Sequence, residues 1–570
     1  MSGNILANDV RFAVFVALAT AAFAIATPCC AVAAKAGATQ PSELQFIADV
    51  DASTVDLRPS VKLRVSAGDL DTSFSRDGKV QTEFTDGGQA TALVLQSDGK
   101  IVAAGFAARF VGHVWIVHTV VARYFQDGRR DPGFGRDGRV ELPCAGSVGW
   151  PRSVKIQRDG TRERILIGAG CETRPGNGNF DFTLVRLNEN GSVDRSFGNG
   201  AGTVQTNFGT RDGKPSLDEL DALVVQEDGK VVAGGATSLD VGTRMALARY
   251  TADGALDPSF GDNGRLVFGD NVFPWNADVL ALAIQRDRKI VGTGFRETNT
   301  GTRAVLFRLN RRGRLDDSFG TGGVVVRSFG PNFFTIPTSI LIQSDDRIVI
   351  GGYYSDPSDE EFRYHGFVAR YLGSGVPDYE FAKGLARLTI GNLSFFLQAM
   401  SEQVDGKYVL AGGLYSSNRG QLVMARLDVN GRLDPTFGTG GVVLTRVKGN
   451  GAANAIQVQP NDGRLIVAGV RDQSSVSASF FLARYHALTC GGYAVTLAGT
   501  RNAEALVGTS DDDVIFTSGG ADKIKAGAGN DVICAGTGND RIDGGGGVDW
   551  CDGGGGTDTA TSCETRINVP

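Results

Sequence analysis

The sequence predicts an all-β chain, a seven-bladed β-propeller followed by a short parallel β-roll. Three observations carry this. A unit of about sixty residues recurs seven times between residues 68 and 486, a nine-residue unit recurs seven times from Glu504, and neither region has a helical hydrophobic period. At 570 residues the chain is too long for one growing hydrophobic core, and its 79 Gly are about twice ordinary usage. Charged residues at 21% and hydrophobics at 42% are those of a folded protein and exclude a disordered or collagen-like chain.

Each long unit carries three signatures in a fixed order. Asp is followed three residues later by Phe at Asp71, Asp131, Asp194, Asp257, Asp316, Asp378 and Asp434, and the intervals between those Phe are 60, 63, 63, 59, 62 and 56 residues. A Gln opens a polar turn and an apolar run at Gln96, Gln157, Gln226, Gln285, Gln343, Gln403 and Gln459. An apolar strand ends in Arg at Arg123, Arg186, Arg249, Arg308, Arg370, Arg426 and Arg484. In the first unit the runs on either side of Ser97-Asp98-Gly99 are apolar and β-branched, the chemistry of a tight hairpin. A third strand ends at Arg123 and a fourth follows Phe134.

Four strands per unit, repeated seven times, bury both faces of each sheet when they stack around an axis. An orphan fourth strand at residues 78–84 opens the series and an orphan third strand closes it at Arg484, so residues 78–84 are expected to complete the last blade. The repeated Arg and Asp are expected to pair, and the Phe to pack between blades, as architecture. Function is expected where the symmetry breaks, on the loops joining an outer strand to the next inner strand. There Trp150, Phe273, Trp275, Phe333, Phe334, Phe395 and Phe396 gather, as stacking residues for a sugar, as anchors for a protein, or as caps on the blade cores.

These units resemble the delta-60 repeat family, with its Leu-Asp-x-Ser-Phe-Gly, Gln-x-Asp-Gly-Lys-Ile-Val and Ala-Arg-Tyr pattern, over about 420 residues. The resemblance implies a repeat architecture and no catalytic activity. It departs at Asp378-Tyr379-Glu380-Phe381, which lacks the Ser, and at Gln285-Arg286-Asp287-Arg288, which lacks the turn Gly.

The acidity lies in the tail: residues 501–570 hold 12 Asp/Glu against 5 Lys/Arg, a net of −7 in a chain of −6. From Glu504 the carboxylates fall every nine residues, at Asp513, Asp522, Asp531, Asp540, Asp549 and Asp558, and two residues beyond stand Leu506, Ile515, Ile524, Ile533 and Ile542. Each nine-residue turn would bury one apolar residue and present one Asp, while Gly supplies positive φ and bare carbonyls for a hard cation. Alternate coils share a side, Asp513 with Asp531 and Asp522 with Asp540.

The segment resembles the haemolysin-type calcium-binding repeat of the RTX proteins, and the resemblance implies Ca2+ as cofactor. Carried over by position, Asp513, Asp522, Asp531, Asp540, Asp549 and Asp558 match the ligand carboxylate. Gly520, Gly527, Gly529, Gly536, Gly538, Gly545, Gly547, Gly554 and Gly556 match the bend glycines. Glu504, Thr509 and Asp511 depart from it, so the first turns are expected to bind weakly or to cap the roll. Cys551 and Ala560 replace the large apolar residue, and a disulfide from Cys551 to Cys563 would substitute for core burial. Without calcium, repulsion among the Asp should leave the module unfolded.

At the N-terminus Phe12–Ala34 is uncharged, follows Arg11 and ends on Ala31-Val32-Ala33, the pattern of a secretory signal peptide. Removing it leaves six Cys, an even number suited to three disulfides in an oxidising compartment; proximity favours Cys144 with Cys171, Cys490 with Cys534, and Cys551 with Cys563. The expected organisation is a signal peptide at 1–34, a linker at 35–67, the propeller at 68–486 and the calcium-binding roll at 487–570. No membrane span is expected after cleavage, and the acidic balance excludes nucleic acid as a partner.

The reading is a secreted or surface calcium-binding protein whose propeller binds a glycan or a protein. The alternative is a secreted hydrolase or lyase acting on polysaccharide. Against it, the propeller holds no nucleophile elbow and no zinc motif, only one irregular acidic loop of Asp356, Asp359, Glu360 and Glu361 near His365. No catalytic residue is assigned.

Overall fold

The computed structural model describes residues 65–569, apart from 85–86, 112–113, 143–148, 173–178, 212–213, 240–241, 270–275, 330–332, 356–362, 417–418, 448 and 472–478. The signal segment, Cys144, Phe273, Trp275 and the acidic loop at 356–361 thus lie outside the described residues. The chain divides into two compact units, with the boundary between Ala498 and Gly499. Residues 487–498, including the small hairpin of Thr489–Cys490 with Tyr493–Ala494, belong to the first unit.

That first unit is a ring of seven four-stranded antiparallel sheets. The first blade runs Gln89–Leu95, Ile101–Val111, Val114–Tyr124, Arg139–Leu142, from inner to outer strand. Its first hairpin closes on Gly99 at φ 78, a conformation glycine adopts without cost, while the Asp98 carboxylate accepts the Lys100 N–H at 3.0 Å. The inner strands of the following blades are Gly149–Asp159, Asp218–Val225, Ala277–Ile284, Phe334–Ile342, Ser394–Glu402 and Gly451–Val458. Each inner strand packs on those of its two neighbours, so together they circle the axis.

The seventh blade is assembled from both ends of the unit. Lys79–Thr82 pairs antiparallel with Ser479–Tyr485, so the outer strand comes from one end of the chain and the other three from the far end. The expectation for residues 78–84 is met.

Hydrophobic residues alternate between the two faces of each blade and fill separate clusters between neighbouring blades. Ala92 and Val94, for example, pack toward the second blade, while Leu93 and Leu95 pack toward the seventh.

One polar clasp recurs at every blade boundary. Arg123, Arg186, Arg249, Arg308, Arg370, Arg426 and Arg484 pair with Asp131, Asp194, Asp257, Asp316, Asp378, Asp434 and Asp71 at 2.7–2.9 Å. Each guanidinium also lies 4.6–4.9 Å from the centroid of the Phe that follows its Asp. The remaining guanidinium nitrogen donates to a turn carbonyl of the next blade, as from Arg186 to Ala252 O at 2.6 Å and from Arg426 to Ala487 O at 2.6 Å. Arg484 reaches the carbonyl of Gln126 in the first blade and closes the ring.

Two departures from the repeat are absorbed locally. Arg288 takes the turn glycine's position at φ 66, and the loop after Phe381 continues into a single 3-10 turn, Ala382–Gly384. A feature absent from the sequence reading is a β-bulge at the same place in all seven inner strands, on Thr91, Arg152, Asp221, Leu280, Thr338, Gln398 and Asn454. Thr91, Thr338 and Asn454 use the bulge to donate to a carbonyl of the next inner strand at 2.7–2.8 Å. No helix among the described residues is long and apolar enough to cross a membrane.

Replacing Arg484 by Met leaves the buried Asp71 with only the more exposed Arg464, at 3.2 Å, and removes the guanidinium's contact with the first blade that closes the ring. A loss of about 3–5 kcal/mol in urea unfolding is expected. The clasp also sets an acid limit. Burial alone would raise the Asp316 and Asp434 carboxyls, but hydrogen bonds from Ser318 and Lys289, and from Thr436 and Lys407, together with the Arg charges, hold both down to about 2. Their stabilisation is complete above the ordinary value of 3.8 and is lost as pH falls through about 2, so thermal melts should drop between pH 4 and pH 2.

Candidate metal centre

The second unit is a roll of two parallel sheets. Ala505–Val507, Lys523–Ala528, Arg541–Gly546 and Thr559–Thr561 form one, with every residue facing the residue eighteen further on. Val514–Phe516, Val532–Cys534, Trp550–Asp552 and Thr565–Ile567 form the other. One coil is therefore two nine-residue units. The apolar residue of each unit points inward, and Ile515, Ile524, Ile533 and Ile542 are buried. Where the core residue shrinks, Cys551 is bonded to Cys563 as the spacing suggested. Cys171, Cys490 and Cys534 are disulfide-bonded as well.

The acidic residues stack in two columns. The main-chain N–H of Asp513 donates to Asp531 Oδ1 and that of Asp531 to Asp549 Oδ1, at 2.8 and 2.9 Å. On the other side Glu504, Asp522 and Asp540 donate in turn to Asp522, Asp540 and Asp558, all at 2.8 Å. The pairing by alternate coils read from the sequence is the one observed. Glu564, which falls outside the nine-residue register, ends the first column by accepting the Asp549 N–H at 2.6 Å, because the last coil is three residues short.

Each Asp thus spends one carboxylate oxygen on the coil before it. The other oxygen, Oδ2, is buried without a hydrogen-bond partner at Asp522, Asp531, Asp540, Asp549 and Asp558, and among the described residues none of these five has an Arg or Lys partner. Burial first, and then the charges of Asp549, Asp513 and Asp512, push the Asp531 carboxyl up to about 6; Asp540 and Asp549 are raised for the same kind of reason. An unpaired buried carboxylate is costly, and a column of them is a site built for a cation.

Beside the carboxylates run columns of carbonyl oxygens. A Cβ on Gly545 would sit 1.9 Å from Gly527 O, and one on Gly554 would sit 1.8 Å from Gly536 O, so these positions accept glycine alone. Gly538, Gly547 and Gly556 lie as tightly against Gly520, Gly529 and Gly538. A hard cation here would meet carboxylate oxygens and, in these glycine bends, main-chain carbonyls, the donor set that calcium takes. Among the described residues no three His, Cys, Asp or Glu side chains converge, so a metal here would draw on main-chain oxygens as well.

Asp513 differs from the other five. Thr509 donates its N–H at 2.7 Å and its hydroxyl at 2.9 Å to Asp513 Oδ2, and Thr500 closes Glu504 in the same way. The first turns are capped by their own hydroxyls.

The aromatic residues singled out on the propeller turn inward more than outward. Phe395 is fully buried, Trp150 packs edge-on against Phe106 at 4.5 Å, and Phe333 stacks over Tyr354 at 6.0 Å. Phe396 lies among Tyr353, Tyr364 and Tyr415. Of the described members of the set, Phe334 alone is exposed.

A sevenfold sheet ring and a glycine-aspartate roll define a propeller protein with a candidate calcium module. Two known repeat-family models match parts of the chain. The domain of unknown function DUF5122, a β-propeller family, matches residues 96–134, 164–197, 226–260, 285–319 and 403–437, and the RTX calcium-binding nonapeptide repeat matches 499–533, 507–541 and 527–560. Each propeller match ends on the Phe of a clasp. The two unmatched units are the one holding Asp378-Tyr379-Glu380-Phe381 and the one split by ring closure. No curated protein matches the sequence.

Similar solved structures include a protein of unknown function from Dyadobacter fermentans DSM 18053, with 10% identity over 72% of this chain and 99% of that one and a TM-score of 0.36. The polysaccharide lyase Uly1 aligns with 11% identity over 70% and 89%, TM-score 0.39. The Penicillium chrysogenum α-L-arabinanase, complexed with arabinobiose, aligns with 11% identity over 71% and 96%, TM-score 0.37. At such values the activities of those proteins stay with those proteins.

Gly545→Ala should abolish the β-signal of the roll in circular dichroism. Gly546→Ala, one residue along and with nothing within 4 Å of its Cβ, should leave it intact.

Proposed function

We propose that this is an exported calcium-binding protein, in which calcium held by the two Asp columns folds the C-terminal roll and the propeller serves as the binding platform for a glycan or protein ligand. The observation that carries the reading is the set of five buried Asp oxygens with no hydrogen-bond partner, in coils whose close-packed bends admit only glycine. Asp522, Asp540 and Asp558 would hold the metal on one side, and Asp531 and Asp549 on the other. The cation would supply the charge that these carboxylates lack. The protein's part is to fix one oxygen of each Asp through the neighbouring coil's amide, so that the other is already aimed.

Export supports the same reading. Cytosolic calcium is low and cytosolic thiols stay reduced, whereas extracellular sites work at weak affinity, about 0.1–1 mM, in an oxidising medium. The uncharged N-terminal segment and the disulfides fit that compartment.

Calcium titration of the chain lacking the signal segment, followed by circular dichroism and calorimetry, should show β-signal gained cooperatively. Asp540→Asn should weaken binding at least tenfold. A titration without heat or spectral change would remove the metal from the reading and leave the roll a disulfide-held cap.

A further inference from the structure

Seven blades built on one plan provide an internal comparison, and one of them departs from the rest in charge. The first and last hairpins of each blade open on the face opposite the loops that join successive blades. In the fourth blade these two turns are Gln285-Arg286-Asp287-Arg288-Lys289 and Asn310-Arg311-Arg312-Gly313-Arg314, six basic residues against one carboxylate, a net of +5. The corresponding turns of the first, second, third, fifth and sixth blades carry net charges between −2 and 0. Nothing in the fold asks for this, since the five other blades close the same hairpins without it.

The two turns form one surface. Arg311 donates from Nε and Nη2 to Asp287 O at 3.2 and 3.0 Å and binds the turns together. Of the carboxylates nearby, Asp287 pairs with Lys289 at 3.1 Å, Asp316 with Arg308 and Lys289, and Glu227 with Arg288 at 3.1 Å, while Asp228 and Asp346 accept the main-chain N–H groups of Lys230 and Arg286 at 3.2 and 3.3 Å. Arg286, Arg312 and Arg314 are exposed and have no carboxylate partner among the described residues. Beside them opens a cleft of about 310 Å³, floored by Val225 and Ile284 and walled by Gln226, Glu227 and Asp228 on one side and by Gln285, Arg286 and Arg288 on the other. Within it Gln226 Oε1 is buried without a hydrogen bond.

We infer that this face of the fourth blade binds an anionic polysaccharide, its carboxylate or sulfate groups held by the free guanidinium forks and its hydroxyls by the amides of the cleft. Guanidinium is the side chain whose planar donors match such oxyanions, and five of the six basic residues are Arg. Glycan is favoured over nucleic acid for one reason. No aromatic side chain lines the cleft for a base to stack on.

The test uses the mature full-length protein in calcium, with hyaluronan and chondroitin sulfate as probes, dextran as the neutral control, and single-stranded DNA as the competing class. Binding to one or both acidic glycans is expected, weakening as NaCl rises and absent for dextran. The triple variant R286S/R312S/R314S should bind at least tenfold more weakly. The charge-matched triple K100S/R129S/R432S, on turns of the first and sixth blades, should stay within twofold. All six side chains sit on turns, and matching circular dichroism spectra check the folds. No binding to either glycan, equal losses in the two triples, or tighter binding of DNA than of glycan would each overturn the inference.

Discussion

A buried guanidinium that belongs to two blades at once is the interaction on which the propeller rests. Each Arg takes its counter-charge from the Asp of its own blade, its apolar cover from the Phe three residues later, and a carbonyl from the blade that follows. Burying a charge is tolerable when every donor is matched, and here the matching requires the neighbour to be in place. No blade can satisfy its own Arg. The ring therefore has to close, and it closes by bringing Asp71, from one end of the unit, onto Arg484 at the other. The strand exchange of Lys79–Thr82 serves the same closure in backbone hydrogen bonds.

The roll poses the opposite electrostatic problem. Its buried charges have one sign, its neighbours in each column are alike, and among the described residues no Arg or Lys answers them. Each clasp of the propeller pairs its charges within the chain, whereas the roll leaves five carboxylate oxygens without a hydrogen-bond partner. This difference suits two stages of a protein's life. Under the proposed function, the clasps need nothing from outside, while the columns would take a cation from the surroundings. Thr509 shows how the chain itself removes that dependence: one hydroxyl and one N–H on Asp513 Oδ2 do locally what a metal would do elsewhere.

Much of this was legible in the sequence because both periods are set by side chains that must recur. Asp, Phe and Arg return every sixty residues since every clasp needs them, and Asp, Gly and Ile return every nine since every coil does. The strand exchange could be read by counting strands. What escaped was carried by the backbone. The seven bulges hold Thr, Arg, Asp, Leu, Thr, Gln and Asn, residues with nothing in common except a place in the register. Glu564 was missed because a three-residue shortening of the last coil puts it in a column that the nine-residue spacing says it should not reach. Of the two roles left open for the loop aromatics, ligand anchors or caps on the blade cores, the sequence could not choose, because the choice depends on which of them fall within strands. Phe395 and Phe396 sit on an inner strand whose alternation buries one and wedges the other among tyrosines.

The clasp also determines where the sequence is free. Its contact with the next blade is to a main-chain oxygen, so the residue that provides it is unconstrained in side chain. Around the ring that residue is Glu189, Ala252, Arg311, Gly373, Val429, Ala487 and Gln126. The position is structurally indispensable and chemically open at once. Charge, apolar surface or nothing at all can be displayed there without disturbing the boundary beneath. The fourth blade fills it with Arg311 and surrounds it with more arginine, while the sixth fills it with an exposed Val429. A repeat architecture held by such contacts can diversify one face blade by blade, and the departures from sevenfold likeness on that face then record what the surface has been shaped to meet.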